Sequence, residues 1–363
     1  MEQILTSESV NIGHPDKTCD YIADCFLDEA LAQDPQSQMA VECAIKNNHL
    51  FIYGEATTNA KINYAKIARK ALKEIGYKNR FKIKKVISSQ SPDIADAVKK
   101  SKLCANDQGV VFGYATNETS SYLPLTIEMA HYIMKVYDDF RKTNSNFYPD
   151  AKSQVWVKYV DGVPSVVTDI LISVSHSEDI SLDEIKNIIE SNVLSKVFQK
   201  YAKFIDKNTK ILINPSGKFT IWGSFGDSGC VGRKIVVDGY GSIAHVGGGC
   251  FSSKNATKVD RSGAYYARFV AKNLVANGLC DRCEISASYA IGVENAIAIN
   301  IDCFGTNKVS MSEIYEKVHK NFDFSVDNII KELNLTKPIF KQTSCFGHFG
   351  NPNFSWEKIR DIK

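Results

Sequence analysis

Three short stretches of the chain join a backbone bend to charge in a way that suits a bound polyphosphate. The first is Gly13-His14-Pro15-Asp16-Lys17, at the start of a segment with helical apolar spacing. A helix N-terminus there presents unpaired N–H groups and a positive dipole end. His14 adds a donor, Lys17 a cation and Asp16 a carboxylate oxygen for Mg²⁺. A capped surface helix with a charged first turn is the plainer alternative. The second stretch is Gly226-Asp227-Ser228-Gly229 with Gly232-Arg233-Lys234, shortly after Lys218-Phe219. Adjacent cations after glycines make a phosphate clamp with close backbone approach. It is no P-loop, because Ile235 stands where Ser or Thr would bind Mg²⁺. The third is Gly247-Gly248-Gly249-Cys250-Phe251-Ser252, followed by Lys254, Lys258 and Asp260. Two lysines four apart beside an acid suit a polyphosphate and its metal, and a solvated basic loop is the alternative.

Two carboxylates add to these. Strand alternation groups Glu42 with Ala40 and Ala44, and Glu55 with Tyr53 and Thr57. An acid on such a face needs a cation, a metal or an exposed strand edge. Two other patterns carry less. Gly239-Tyr240-Gly241-Ser242-Ile243-Ala244 has the outline of a dinucleotide fingerprint, but three glycines occupy the place of its helix. Cys280-Asp281-Arg282-Cys283 is one Cys-x-x-Cys with no second pair, which reads as buried, reduced thiols rather than a zinc or redox site.

The elements that must position these residues follow from periodicity. Cys19, Ile22, Ala23, Phe26, Leu27, Ala30 and Leu31 form one stripe of a helix that starts at Pro15. Strands are expected at 39–45, 49–58 and 82–88, with a helix over 62–75 closed by Gly76. The stretch 91–108 has weak periodicity and reads as either a mobile functional segment or disorder, and as the first domain boundary. A helix near 124–141 follows. Strands at 153–160 and 164–175 flank Asp161-Gly162, a hairpin signal. A helix over 182–203 and strands at 210–214 and 234–238 come next, then a helix from Asp260 to Asn277 stopped by Gly278. Strands at 283–291 and 295–303 and a helical tail at 312–334 complete an α+β pattern of three units.

The length of 363 residues exceeds what one core usually serves, so two or three domains are expected. Hydrophobic residues at 44% and charged ones at 23% describe a globular chain rather than a disordered one. A net charge of +3 gives no general attraction to nucleic acid or an anionic membrane. No apolar run approaches the ~20 residues of a bilayer span. Glu2, Glu8 and Asp16 interrupt what a secretory leader would require, so a cytoplasmic location is expected.

Further runs join the three stretches in order along nearly the whole chain. They are Thr6-Ser7-Glu8-Ser9-Val10, Gly54-Glu55-Ala56-Thr57-Thr58, Gln90-Ser91-Pro92-Asp93-Ile94, Asp107-Gln108-Gly109, Phe112-Gly113-Tyr114-Ala115-Thr116-Asn117-Glu118, Pro149-Asp150-Ala151-Lys152-Ser153-Gln154, Lys258-Val259-Asp260-Arg261-Ser262 and Gly347-His348-Phe349-Gly350. With them the sequence resembles the methionine adenosyltransferases, or S-adenosylmethionine synthetases.

The resemblance implies synthesis of S-adenosylmethionine from ATP and L-methionine, with the released triphosphate hydrolysed to pyrophosphate and phosphate. It implies catalytic roles for His14, Lys152, Arg233, Lys234, Lys254 and Lys258. ATP contacts fall on His14, Asp150, Lys152, Lys218, Phe219, Asp227, Arg233, Lys234, Cys250 and Lys254. Methionine contacts fall on Glu55, Gln90, Asp227 and Lys258, the Mg²⁺-linked acids are Asp16 and Asp260, and Glu42 is the K⁺ ligand. Two Mg²⁺ per site are implied. So are three similar α/β two-layer domains with pseudo-threefold symmetry, at 1–92, 109–220 and 221–363, with a gate loop over 93–108. The assembly implied is a homodimer with shared active sites, joined as a dimer of dimers. Lys218 replaces the usual arginine, Cys104 and Asn106 replace gate glycines, and Cys250 replaces an alanine. A catalytically silent, nucleotide-binding paralogue acting as a regulatory subunit is the alternative function.

Overall fold

A computed structural model describes residues 1–89 and 103–363. The first strand, β1 (Glu2–Val10), leads through a tight bend into helix α1 (Pro15–Gln33). Proline sits at the first helical turn of α1, and the His14 side chain caps it by accepting from the Asp16 N–H. Next come β2 (Gln38–Lys46), β3 (His49–Thr57), α2 (Tyr64–Ile75) and β4 (Lys82–Ser88). Gly76 ends α2 at φ 126°, a conformation that favours glycine. The chain continues with β5 (Gly109–Thr116), α3 (Leu125–Arg141), β6 (Phe147–Val160) and β7 (Val163–His176). Asp161 and Gly162 join β6 to β7, both at positive φ, as the Asp-Gly pair predicts.

Helices α4 (Leu182–Ile189) and α5 (Ser195–Lys200) are separated by a π turn at Glu190–Leu194, so the expected single helix over 182–203 is interrupted. They precede β8 (Lys210–Ile213), the one-turn helix α6 (Gly223–Gly226), β9 (Gly229–Cys230) and the one-turn helix α7 (Ile235–Asp238). The last elements are α8 (Val259–Ala276), β10 (Arg282–Tyr289), β11 (Ala298–Asp302), α9 (Met311–Asn321) and α10 (Val326–Glu332). The expected strand at 234–238 is therefore α7. The run Ile235-Val236-Val237 has strand composition but pairs with no strand, and its end is drawn inward by the buried Asp238. The helical tail is two helices, broken at Asp323, whose carboxylate accepts from the Ser325 N–H and Oγ.

Three sheets result, in the orders β4-β3-β2-β9, β1-β6-β7-β8 and β11-β10-β5. Helix α1 lies on the first with α2 packed against it, α3 lies on the second and α8 on the third, giving three two-layer units. The chain crosses between units. β1 pairs with β6, β5 pairs with β10, and β9 pairs with β2. One buried apolar cluster runs through the first and third units, from Phe26 and Ile52 to Val270 and Trp356. A second, around Ile133, Val155, Ile170 and Ile189, fills the remaining unit. No helix among the described residues is long and apolar enough to cross a membrane.

Candidate active site

The bend at 11–16 is drawn onto β6 by two backbone bonds, Asn11 N–H to Ala151 O at 2.9 Å and Gly13 N–H to Pro149 O at 3.0 Å. A side chain at Gly13 would meet the Pro149 carbonyl carbon at 2.5 Å, and one at Gly229 would meet the Pro15 carbonyl at 2.2 Å. Only glycine permits these approaches, which bring the start of α1, the start of β6 and β9 to one place.

His14 and Asp16 are buried there. One Asp16 oxygen accepts from Lys234 Nζ at 2.8 Å, and the other accepts from the Cys230 N–H at 3.0 Å and lies 3.4 Å from Arg233 Nε. Burial pushes the Asp16 carboxyl up, but the Lys234 and Cys230 hydrogen bonds outweigh it and hold the group below its ordinary value. His14 Nδ1 accepts from the Asp16 N–H at 3.2 Å, so the neutral ring carries its proton on Nε2. Burial, then the charges of Lys234 and Lys152, push the His14 pKa down to about 3. Asp150, on β6, accepts from the Gly223 N–H at 2.8 Å, and burial pushes its pKa up to about 7. Lys152 is exposed two residues further along the strand, and exposed Asp227 lies close enough for its charge to act on both His14 and Asp150. These residues form one charged group.

A second group lies around the start of α8 and the first sheet. Lys254 Nζ is 2.5 Å from Asp260, and Lys254 also forms a bridge with Ala40 at the edge of β2. Lys258 caps the start of α8 by position and donates to Asn106 Oδ1 at 3.1 Å. Burial lowers the Lys258 pKa, while the charge of Glu55 works against that shift. Glu55, Asn106, Lys258, Gln38 and Ala40 line one small pocket. Ala40 pairs with Glu55 and Glu42 with Tyr53, so both carboxylates share the sheet face away from α1. β3 lies between β2 and β4, which removes the edge-strand explanation for Glu55, whereas β9 pairs with β2 only at Ala44 and Ile45 and does not reach Glu42. The Tyr53 hydroxyl donates to Glu42 at 3.3 Å. Cys250 sits against Gly232, its thiol pushed up to about 11 by burial.

Among the described residues no hydrogen bond or ion pair joins the two groups. The charges that shift His14 come from Asp16, Lys152, Asp227 and Lys234, and those that shift Lys258 from Glu55, Asp107, Lys254 and Asp260.

Family models match nearly the whole length in three consecutive parts. They are the N-terminal domain of S-adenosylmethionine synthetase over residues 2–101, its central domain over 102–219 and its C-terminal domain over 221–358. The chain belongs to the S-adenosylmethionine synthetase family. It is 45% identical to the S-adenosylmethionine synthase of Mesoplasma florum, over 100% of this chain and 99% of that protein. The synthases of Oenococcus oeni and Clostridium tetani are 44% and 41% identical, each over 100% of this chain and 98% of the relative.

Within this synthetase-family chain, the other residues singled out from the sequence fall as follows. Lys218 is exposed beyond β8, and half-buried Phe219 exchanges hydrogen bonds with His176. Gln90 and most of the expected gate lie outside the described residues. The Gly239-Tyr240-Gly241 turn follows a helix and precedes none, which removes the dinucleotide fingerprint. Lys17 does not serve as a surface cation for phosphate. It is fully buried between Asp20, at 3.0 Å, and Asp238. Trp222 was not singled out. It lies between Tyr77 and Tyr148, with ring centroids at 4.6 and 5.9 Å, beside the Gly223–Asp150 bond. Asp24 was missed as well. It holds Arg261 through two bonds of 2.8 and 2.9 Å, and the signal that could have found it is the row of aspartates at four-residue spacing on α1, Asp16, Asp20, Asp24 and Asp28.

The donor set fits Mg²⁺ in its usual protein setting. Asp16 and Asp260 are isolated carboxylates flanked by cations, as expected where substrate phosphates and water complete the coordination. Glu42 offers one half-buried carboxylate to a larger cation.

Proposed function

We propose that the chain, an enzyme of the methionine adenosyltransferase class, forms S-adenosylmethionine by attack of the methionine sulfur on C5′ of ATP, and then hydrolyses the released triphosphate to pyrophosphate and phosphate. The observation that carries the reading is His14. It is neutral, fixed with its proton on Nε2, and shifted by the charges of Lys152 and Lys234. Such a ring is a hydrogen-bond donor for a departing oxyanion, not a proton shuttle. Methionine sulfur carries no proton, so the attack needs no general base. The barrier lies in alignment and in charge gathering on the triphosphate.

Lys152, Arg233 and Lys234 grip that triphosphate. Asp150, Lys218, Phe219, Asp227 and Cys250 surround the nucleotide, and Lys254 reaches its phosphates. Lys258 and Glu55 present opposite charges from one pocket, the complement of a zwitterionic amino acid, with Gln90 and Asp227 as further methionine contacts. Asp16 and Asp260 would hold two Mg²⁺ and Glu42 would hold K⁺. Such cations neutralise charge developing on the phosphates.

A site completed across a dimer, the His14 group from one chain and the Lys258 group from its partner, belongs to the reading. The same sheet face that bears Glu42 and Glu55 leaves Phe51 and Val86 exposed, which suits cover by a second copy. Pairing of two dimers, pseudo-threefold symmetry of the three units and a cytoplasmic location complete the reading. No observation favours the silent-paralogue alternative.

The test is incubation of the purified protein with ATP, L-methionine, Mg²⁺ and K⁺, followed by mass spectrometry. S-adenosylmethionine is expected with equal amounts of pyrophosphate and phosphate. Phosphate release independent of methionine would overturn the reading.

A further inference from the structure

Cys280 and Cys283 gain a third neighbour that their spacing does not announce. Cys303 brings its sulfur into the same group, and all three sulfurs lie within 4.8 Å of one another. The cysteines are 2%, 0% and 2% exposed respectively. None of the three is tied up in a disulfide.

The frame around them is well braced. Cys283 lies on β10, and Cys303 stands one step past β11, across from it in the register set by Glu284 and Asp302. Cys280 is bridged to Asn307 through the backbone, and the Lys308 N–H donates to Leu279 O at 2.8 Å. The Thr306 hydroxyl accepts from the Asp281 and Arg282 N–H groups, each at 3.2 Å, and the Thr306 N–H donates to Cys303 O at 2.9 Å. A turn with Phe304 and Gly305 at positive φ closes the loop. Two short backbone segments thus present three sulfurs to one point.

We propose that Cys280, Cys283 and Cys303 form a trigonal thiolate site for a soft monovalent cation, Cu(I). Thiolates select soft d¹⁰ ions. A metal–sulfur bond of ~2.3 Å places three ligands in a plane about 4.0 Å apart, so the sulfurs need to close by less than about 1 Å. Zinc requires a fourth ligand. Among the described residues no further Cys, His, Asp or Glu joins the group, and the burial of the three residues leaves little access for water. Binding releases the displaced thiol protons to solvent, with no change in oxidation state.

The site is separate from the candidate active site. Cys283 is near the start of β10, whereas Tyr289 at its end pairs with Gly109, which lies against Asp260. Six residues of strand separate the two ends by about 20 Å.

The experiment is an anaerobic titration of the reduced, full-length protein with Cu(I) against a chromophoric competitor, with X-ray absorption on the loaded sample. One ion per chain is expected, surrounded by three sulfur atoms and no nitrogen or oxygen. Cys280→Ser and Cys303→Ser should each lower the affinity by at least tenfold. Cys345→Ser should leave it unchanged, and S-adenosylmethionine synthesis should persist in all three. Circular dichroism on each variant separates loss of the site from loss of the fold. Binding that survives Cys303→Ser, no retention of the ion by the wild-type chain, or preference for Zn(II) with a non-sulfur fourth ligand would each overturn the proposal.

Discussion

A buried histidine beside two lysines has a protonation state set by cost rather than by solution chemistry. His14 has a folded-state value near 3 against its ordinary 6.5. The unfolded chain therefore takes up the proton first. Stability associated with neutral His14 is complete above pH 6.5 and is lost as pH falls toward 3, at about 1.4 kcal/mol per unit. The His14 ring resonances should accordingly stay flat from pH 8 to 5 in an NMR titration, and an inflection near 6.5 would remove the neutral donor. Lys258 gives a second prediction at this scale. Lys258→Met should leave circular dichroism unchanged and lower synthesis by about 10²–10³-fold, the ~3–4 kcal/mol typical of a lost transition-state contact. A turnover within threefold of wild type would take Lys258 out of the site. Most residues gathered around His14 and Lys258 stand in short runs visible in the sequence. The fate of Lys17 was not visible there, because Asp238, the partner that buries it, is distant in sequence and joined only by the fold.

Helices and hairpins were legible where one periodicity dominated. α1, α2, α3 and the β2–β3 and β6–β7 hairpins fall where apolar spacing, Gly76 and Asp161-Gly162 place them. β1 and β5 went unread, and both leave their sequence neighbours to pair in another unit. Their partners, β6 and β10, lie far along the chain, so no local hairpin signal marks them. Buried ions hold the crossing chain together. Asp24 on α1 meets Arg261 on α8, and the guanidinium also reaches Thr343 and the Tyr265 hydroxyl. A buried pair of this kind is weak evidence of net stability, yet removing one partner strands the other. Asp24→Ala should lower unfolding free energy by about 3–5 kcal/mol in denaturant titrations. A loss under about 1 kcal/mol, the range of surface pairs, would mean that Arg261 finds water or another acceptor.

At the scale of the whole molecule, the proposed site residues fall into two groups, around His14 and around Lys258, which no hydrogen bond or ion pair joins among the described residues. Order along the chain does not report which residues of the two groups face one another. If each active site combines the His14 group of one chain with the Lys258 group of its partner, two different defects can complement. Lys234→Met damages one half and Lys258→Met the other. Each homodimer of a single variant then has two damaged sites, whereas a mixed dimer has one site with both defects and one with neither. Co-refolding the two inactive variants in equal amounts and measuring S-adenosylmethionine formation tests this directly. The account predicts recovery of about a quarter of the wild-type rate, from statistical pairing in a two-fold dimer. A mixture as inactive as either variant alone, with mixed dimers shown to be present, would contradict it and place both groups in one chain's site.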